Sequence, residues 1–134
     1  MQVFLTPDDL TAGDLAETGW HPSEVSDYEE TPAGDEAKNP GSTNCIWYFK
    51  ILDGQNKGMT VKKLINEHPK SLGYNKALWK TFGFPQKDGG YQLSSELFKK
   101  TVGFKLMIYI QRGKSSPQFG GREFNDVKDF KPLA

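Results

Sequence analysis

The chain predicts a mainly β fold: a five-stranded Greek-key barrel with a helical insertion between its third and fourth strands. Three observations predict it. Residues 44–52 and 102–111 alternate their apolar side chains with the period of two that a half-buried strand requires. Between them, residues 69–100 carry apolar positions at helical spacing together with start and stop signals. Fourteen Gly and eight Pro among 134 residues favour short strands and many turns over a helical bundle.

Each element can be justified in order. Thr6 as N-cap, Pro7 at the first helical position and Asp8 and Asp9 in the first turn predict one short helical turn before Gly13. Residues 20–29 (WHPSEVSDYE) predict a first strand, and Pro22, which has no N–H, predicts a free edge or a bulge near its start. Residues 31–41 (TPAGDEAKNPG) are a polar loop rich in breakers. The second strand, NCIWYFKIL, sends Cys45, Trp47, Phe49 and Ile51 inward and leaves Tyr48 and Lys50 on the other face. DGQNKG makes a hairpin turn, and MTVKKLIN returns as strand three. Lys62 and Lys63 break its alternation, so only one of the pair belongs to the exposed face.

Residues 69–82 predict one helix, with Leu72, Leu78, Trp79 and Phe82 on one side, Gly83 at C′ and Pro85 preventing continuation. Ser94 caps a second short helix, with Leu97 and Phe98 inward and Lys99 and Lys100 at its C-terminal end. Residues 102–111 predict strand four, with Phe104, Leu106, Ile108 and Ile110 inward and Lys105, Met107, Tyr109 and Gln111 outward. Residues 112–122 form a hairpin arm with three cations and Phe119, and residues 123–130 close as strand five. Three strands, a helical insertion and two strands is the element order of an OB-fold, whose ligand face uses strands two and three flanked by the first and last hairpin loops. Residues 19–134 form this domain, and residues 1–18 are an acidic lead-in.

Charge is divided along the chain. The first 43 residues hold ten Asp and Glu against one Lys, whereas the remainder holds seven acids and sixteen Lys and Arg. A surface with a strong local potential steers oppositely charged molecules whatever the net charge, so a polyanion is the expected ligand of the basic part. Single-stranded nucleic acid needs cations along the backbone and aromatic faces on which bases stack. Tyr48 and Tyr109 are the candidate stacking platforms. Lys50, Lys62, Lys63 and Lys105 are candidate phosphate contacts from the sheet, and Arg112, Lys114 and Arg122, with Phe119, would close over the strand from the arm. Trp20, Trp47 and Trp79 are expected to serve packing.

Enzymatic patterns are missing. There is no GxxxxGK[ST] loop, no GxSxG elbow and no HExxH, and the single cysteine, Cys45, falls on an inward strand face. His21 and His68, the only histidines, suit a strand edge and a helix entry. No catalytic residue, cofactor or metal site is expected; the acidic cluster Glu29, Glu30, Asp35 and Glu36 lacks the spacing and glycine of a calcium loop. No apolar run approaches the ~20 residues of a membrane span, and MQVFLTPDD lacks the features of a signal peptide, so a cytoplasmic protein without a membrane partner is expected.

The segments GWHPSEVSDYEE, STNCIWYFKILDGQNKGMTVKKL, TVGFKLMIYIQRGKS and REFNDVKDFKPL resemble a group of small bacteriophage-encoded OB-fold proteins found among replication and recombination functions. The similarity covers residues 19–133. It rests on a Gly-aromatic opening of strand one, an ILDG…KG hairpin, a GFP stop after the helical insertion and a closing FNDVKDFKP. The resemblance implies a non-enzymatic, weakly sequence-specific single-stranded DNA-binding protein that acts in the host cytoplasm with replication or recombination proteins, homo-oligomerisation being compatible with it. Many phage proteins of that role end in an acidic tail, whereas this chain ends KDFKPLA. Its acidic weight lies at the other end, where residues 1–17 are expected to compete for the basic groove or to dock a partner. The alternative is a protein-interaction module, an inhibitor or adaptor using the same face against an acidic protein surface.

Overall fold

The structure, a computed structural model, describes residues 1–5, 14–35, 37–115, 117, 121 and 123–133. The expected turn at Thr6 to Asp9, Glu36, Phe119 and Arg122 lie outside the described residues. The architecture is mainly β. Five strands, β1 (Gly19–Pro32), β2 (Thr43–Ile51), β3 (Thr60–Asn66), β6 (Lys105–Lys114) and β7 (Glu123–Pro132), form one antiparallel sheet in the order β3-β2-β1-β6-β7. Between β3 and β6 come α1 (Pro69–Tyr74), α2 (Lys76–Phe82), a small hairpin of β4 (Gln86–Lys87) and β5 (Gly90–Tyr91), and α3 (Ser95–Lys99). No helix among the described residues is long and apolar enough to cross a membrane.

The inward sets read from periodicity make the core. Cys45, Trp47, Phe49 and Ile51 of β2 and Leu106, Ile108 and Ile110 of β6 are buried, with Phe104 packed against them. Trp47 is the centre, fully buried and surrounded by the rings of Tyr28 at 4.7 Å, Phe98 at 4.8 Å, Trp79 at 5.6 Å and Phe82 at 6.4 Å. Its indole N–H donates to Thr101 Oγ1 at 3.0 Å, and that hydroxyl donates to Phe98 O at 2.6 Å. Trp79 Nε1 donates to Leu72 O at 2.8 Å. The helical insertion is therefore fastened to the sheet by rings whose polar atoms all have partners, the condition for burying them without penalty.

Three local expectations are corrected. Residues 69–82 form two helices, because Asn75 (φ −106°, ψ 25°) leaves the helical region and its side-chain amide donates to Ser71 O. Strand β6 starts at Lys105, since Gly103 at φ 93° turns the chain before it. β1 is the central strand rather than an edge, and its bulge falls between Val25 and Asp27. Pro22 is tolerated because the β2 ladder begins only at Ser23, leaving no partner acceptor where the proline lacks its N–H. His21 is buried and inward, its Nε2 at 2.6 Å from Glu17 O. Ser94 caps α3 as the sequence indicates, accepting from Leu97 N at 3.2 Å.

The sheet's edges, β3 and β7, share no ladder among the described residues but are brought together by side chains. Lys63 of β3 donates to Val127 O of β7 at 2.9 Å. Residues 14–17 fill the space beside this bridge: Ala16 is fully buried, its N–H donates to Asn125 Oδ1 at 2.8 Å, and Asn125 Nδ2 donates to Asp14 O at 2.9 Å.

Thr101→Val keeps the volume of the side chain but leaves the Trp47 N–H buried without an acceptor. It should cost about 1–3 kcal/mol, read as a lower urea midpoint at unchanged slope; an unaltered midpoint would remove Thr101 as the tether.

Candidate functional site

The sheet's outer face carries the exposed side chains that the sequence singled out, and the register shows how they are grouped. In β1, inward His21, Ser23 and Val25 leave Trp20, Pro22 and Glu24 pointing out. Trp20 lies opposite Tyr109 and Tyr109 opposite Asp129; Pro22 lies opposite Met107 and Met107 opposite Lys131. Glu24 sits between Lys50 and Lys105, which pair with it from either side.

Tyr109 thus belongs to a corner that also contains Trp20 and Lys131. The Trp20 and Tyr109 rings meet edge to face at 5.4 Å, and the Lys131 ammonium stands 4.3 Å from the Trp20 ring centre. A cation over an indole face is attracted by the ring quadrupole, at about 0.5–1 kcal/mol in an exposed site. Trp20 keeps 36% of its surface open, so it is a surface aromatic and not the packing residue expected of it. Phe124 adds a third ring on the same side. It pairs with Gly113, and a Cβ at that position would come within 2.6 Å of its ring, so only glycine lets the phenyl lie on the β6 backbone.

Tyr48 stands apart from this corner. It lies opposite Asp27 on β1, whereas Tyr109 lies opposite Trp20. Seven positions at ~3.3 Å each separate the two rings by about 20 Å along the strand. Tyr48 is half-buried and its hydroxyl donates to Glu29 Oε1 at 2.5 Å. That carboxylate, with burial and Asp27 acting the same way, pushes the phenol up to about 12. Lys62 lies beside it on β3 and is exposed, but Asp27 and Glu29 make this end acidic.

Lys63 does not belong to the outer face. Val61 and Ile65 on either side of it are buried, and its own side chain crosses the gap to β7, where burial pushes its ammonium below the usual lysine value. Arg112 and Lys114 are exposed but share the parity of inward Ile110, so they project from the opposite side of the β6–β7 hairpin to Tyr109. The structure brings together Tyr109, Lys105 and Lys50 of the expected set, and adds Trp20, Met107, Phe124 and Lys131. Alternation had the signal for two of these: buried Ser23 and Phe130 fix the parity that turns Trp20 and Lys131 outward.

Two titratable groups lie on the inner side at the far end of β1. The Tyr28 hydroxyl donates to Glu30 Oε2 at 2.7 Å; this bond, another from Ser95 and the Lys99 charge hold Glu30 below the usual carboxylate range. Burial is the main cause that raises the Tyr28 phenol and the Cys45 thiol, and a buried, largely protonated thiol is a poor nucleophile. Among the described residues no cluster of three or more His, Cys, Asp or Glu could hold a metal. No protein-family model matches this chain, and no curated protein matches it in sequence.

The Tyr48 phenol, raised in the folded state, stabilises the fold fully below its ordinary value near 10 and loses that contribution as pH rises through about 12. Glu29→Gln should bring the phenol back toward 10 and flatten this alkaline loss, followed by phenolate absorbance; an unmoved titration would show that Glu29 is not its cause.

Proposed function

We propose that the chain is an OB-type domain that binds single-stranded DNA without catalysing a reaction, in bacteriophage replication or recombination. The fold part of this reading is supported by the strand order. In β3-β2-β1-β6-β7, β1 is flanked by β2 and β6, and a helical insertion follows β3; an OB barrel has this arrangement with its seam between the outer strands. Here that seam is held by Lys63 and Ala16 in place of a ladder.

The observation that carries the functional part is the exposed Trp20–Tyr109 pair with Lys131 beside it. An aromatic stacks any base, at about 1–3 kcal/mol each, and adjacent cations hold the phosphates. The ligand track then runs along β1 and β6 from Phe124 past Tyr109 and Trp20 to Lys105 and Lys50. It is a different track from one over β2 and β3, where Tyr48 is engaged by Glu29. The acids Glu24 and Asp129 lie within the patch, so stacking contributes more than charge. Three lysines, Lys50, Lys105 and Lys131, set a shallow salt dependence with a log–log slope of about −2.

Titration of labelled oligothymidine by fluorescence anisotropy checks the reading. Trp20→Ala or Tyr109→Ala should weaken binding by about 1–3 kcal/mol at an unchanged slope. Lys131→Ala or Lys105→Ala should reduce the slope by about 0.7 each. Tyr48→Ala should have little effect. Absence of binding at about 50 mM salt would sink the proposal.

A further inference from the structure

The strongest feature outside the sheet face is an apolar cleft on the helical insertion. Its volume is about 370 Å³, and Leu72, Trp79, Tyr91 and Leu93 line it with Lys76 on its rim. A second cleft shares the Tyr91 wall and is bordered by Phe84 and Lys80. The insertion is strongly basic, with six lysines against Asp88 and Glu96 between residues 69 and 100. A groove with an apolar floor and a cationic rim fits a segment that combines apolar anchors with carboxylates.

The chain itself contains such a segment. Met1, Val3, Phe4 and Leu5 are exposed large apolar side chains. Asp8, Asp9, Asp14 and Glu17 follow, and residues 1–18 hold no Lys or Arg. An apolar tip left in water is unfavourable at about 25 cal/mol per Å², so a cover for it is stabilising. The segment is anchored at Ala16, against Asn125, whose amide is 4.0 Å from Met59 Sδ at the start of β3. The cleft lies on α1 and α2, which follow the end of β3. Anchor and cleft are thus at opposite ends of the molecule, and residues 1–5 stand clear of the cleft in their own chain.

We infer that the apolar N-terminal tip of one copy docks in the Leu72–Trp79–Tyr91 cleft of a second copy, with Asp8 and Asp9 against Lys76 and Lys80. Each copy both offers a tip and presents a cleft, so the exchange closes as a two-fold dimer. The sheet's outer face takes no part, and the DNA-binding reading stands or falls separately.

Sedimentation velocity on the full chain, without nucleic acid, tests it. At low salt the protein should pass from monomer to dimer as concentration rises, and should dissociate as salt screens the lysine–aspartate pairs. Phe4→Asp and Lys76→Glu change exposed positions and leave the core untouched, so thermal unfolding should be unaltered. Each should weaken the dimer roughly tenfold or more. Combining Lys76→Glu with Asp8→Lys and Asp9→Lys should recover association. A synthetic MQVFLTPDD peptide should compete the dimer apart. A monomer at every concentration, or a dimer indifferent to both single changes and to the peptide, would overturn the inference.

Discussion

Everything the outer face presents depends on the burial of Trp47. It is the widest side chain on the inner surface of β2, and the three elements that could drift from the sheet, α1 with α2, the β4–β5 connection and α3, all reach it directly or through Trp79 and Phe98. Stacked Trp79 and Phe98 (5.1 Å) form the layer above it, with Phe84 stacked against both, at 6.0 Å from Trp79 and 6.2 Å from Phe98. Aromatic pairs in such geometries add about 0.5–1.5 kcal/mol each beyond the area they bury. The insertion is thereby made into a plug, and β1, β2 and β6 are free to give their other face to solvent.

The opposite end solves a different problem. A five-stranded open sheet exposes two edges, and β7 in particular has a bulge at the point where Tyr109 faces Asp129 and Ile110 faces Val127. That bulge leaves Val127 O without a strand partner, and Lys63 supplies one from the other edge. Burying an ammonium is costly in isolation, which is why its value falls, yet an edge carbonyl facing an apolar interior would cost a comparable amount. Ala16, held by Asn125, closes the rest of the gap. Residues 14–17 act here as part of the folded domain, whatever the acidic residues before them do.

How much of this could be read beforehand follows from how local each feature is. The inward faces of β2 and β6 were legible because seven apolar residues fall at alternate positions, and no neighbour can reverse that without turning the core outside in. Ser94 was legible as a cap for the same reason: the bond to Leu97 N lies within one turn. Lys63 was not, because alternation could put only one lysine of the pair outside, and which one is decided by an acceptor 64 residues away on β7. The 86–91 hairpin was overlooked although Asp88 and Gly89, at φ 54° and 78°, are a turn pair of the kind that two-residue hairpins use. Its strands are two residues each, too short for any periodicity. Trp20 was misjudged since aromatic content alone argues for burial, while its exposure follows from the parity of His21, Ser23 and Val25.

The division between the two tyrosines follows from the bulge in β1. Before it, the outward residues of β1 are Trp20, Pro22 and Glu24; after it, they are Asp27 and Glu29. A single strand therefore presents an aromatic and mixed-charge end beside β6 and β7 and an acidic end beside β2 and β3. Tyr48 and Tyr109 occupy equivalent places on the strands that flank β1, but the first meets a carboxylate and the second meets an indole under a lysine. The chemistry of each ring is set by its cross-strand neighbour, and a surface that treats them as one platform would have to discharge Glu29 first.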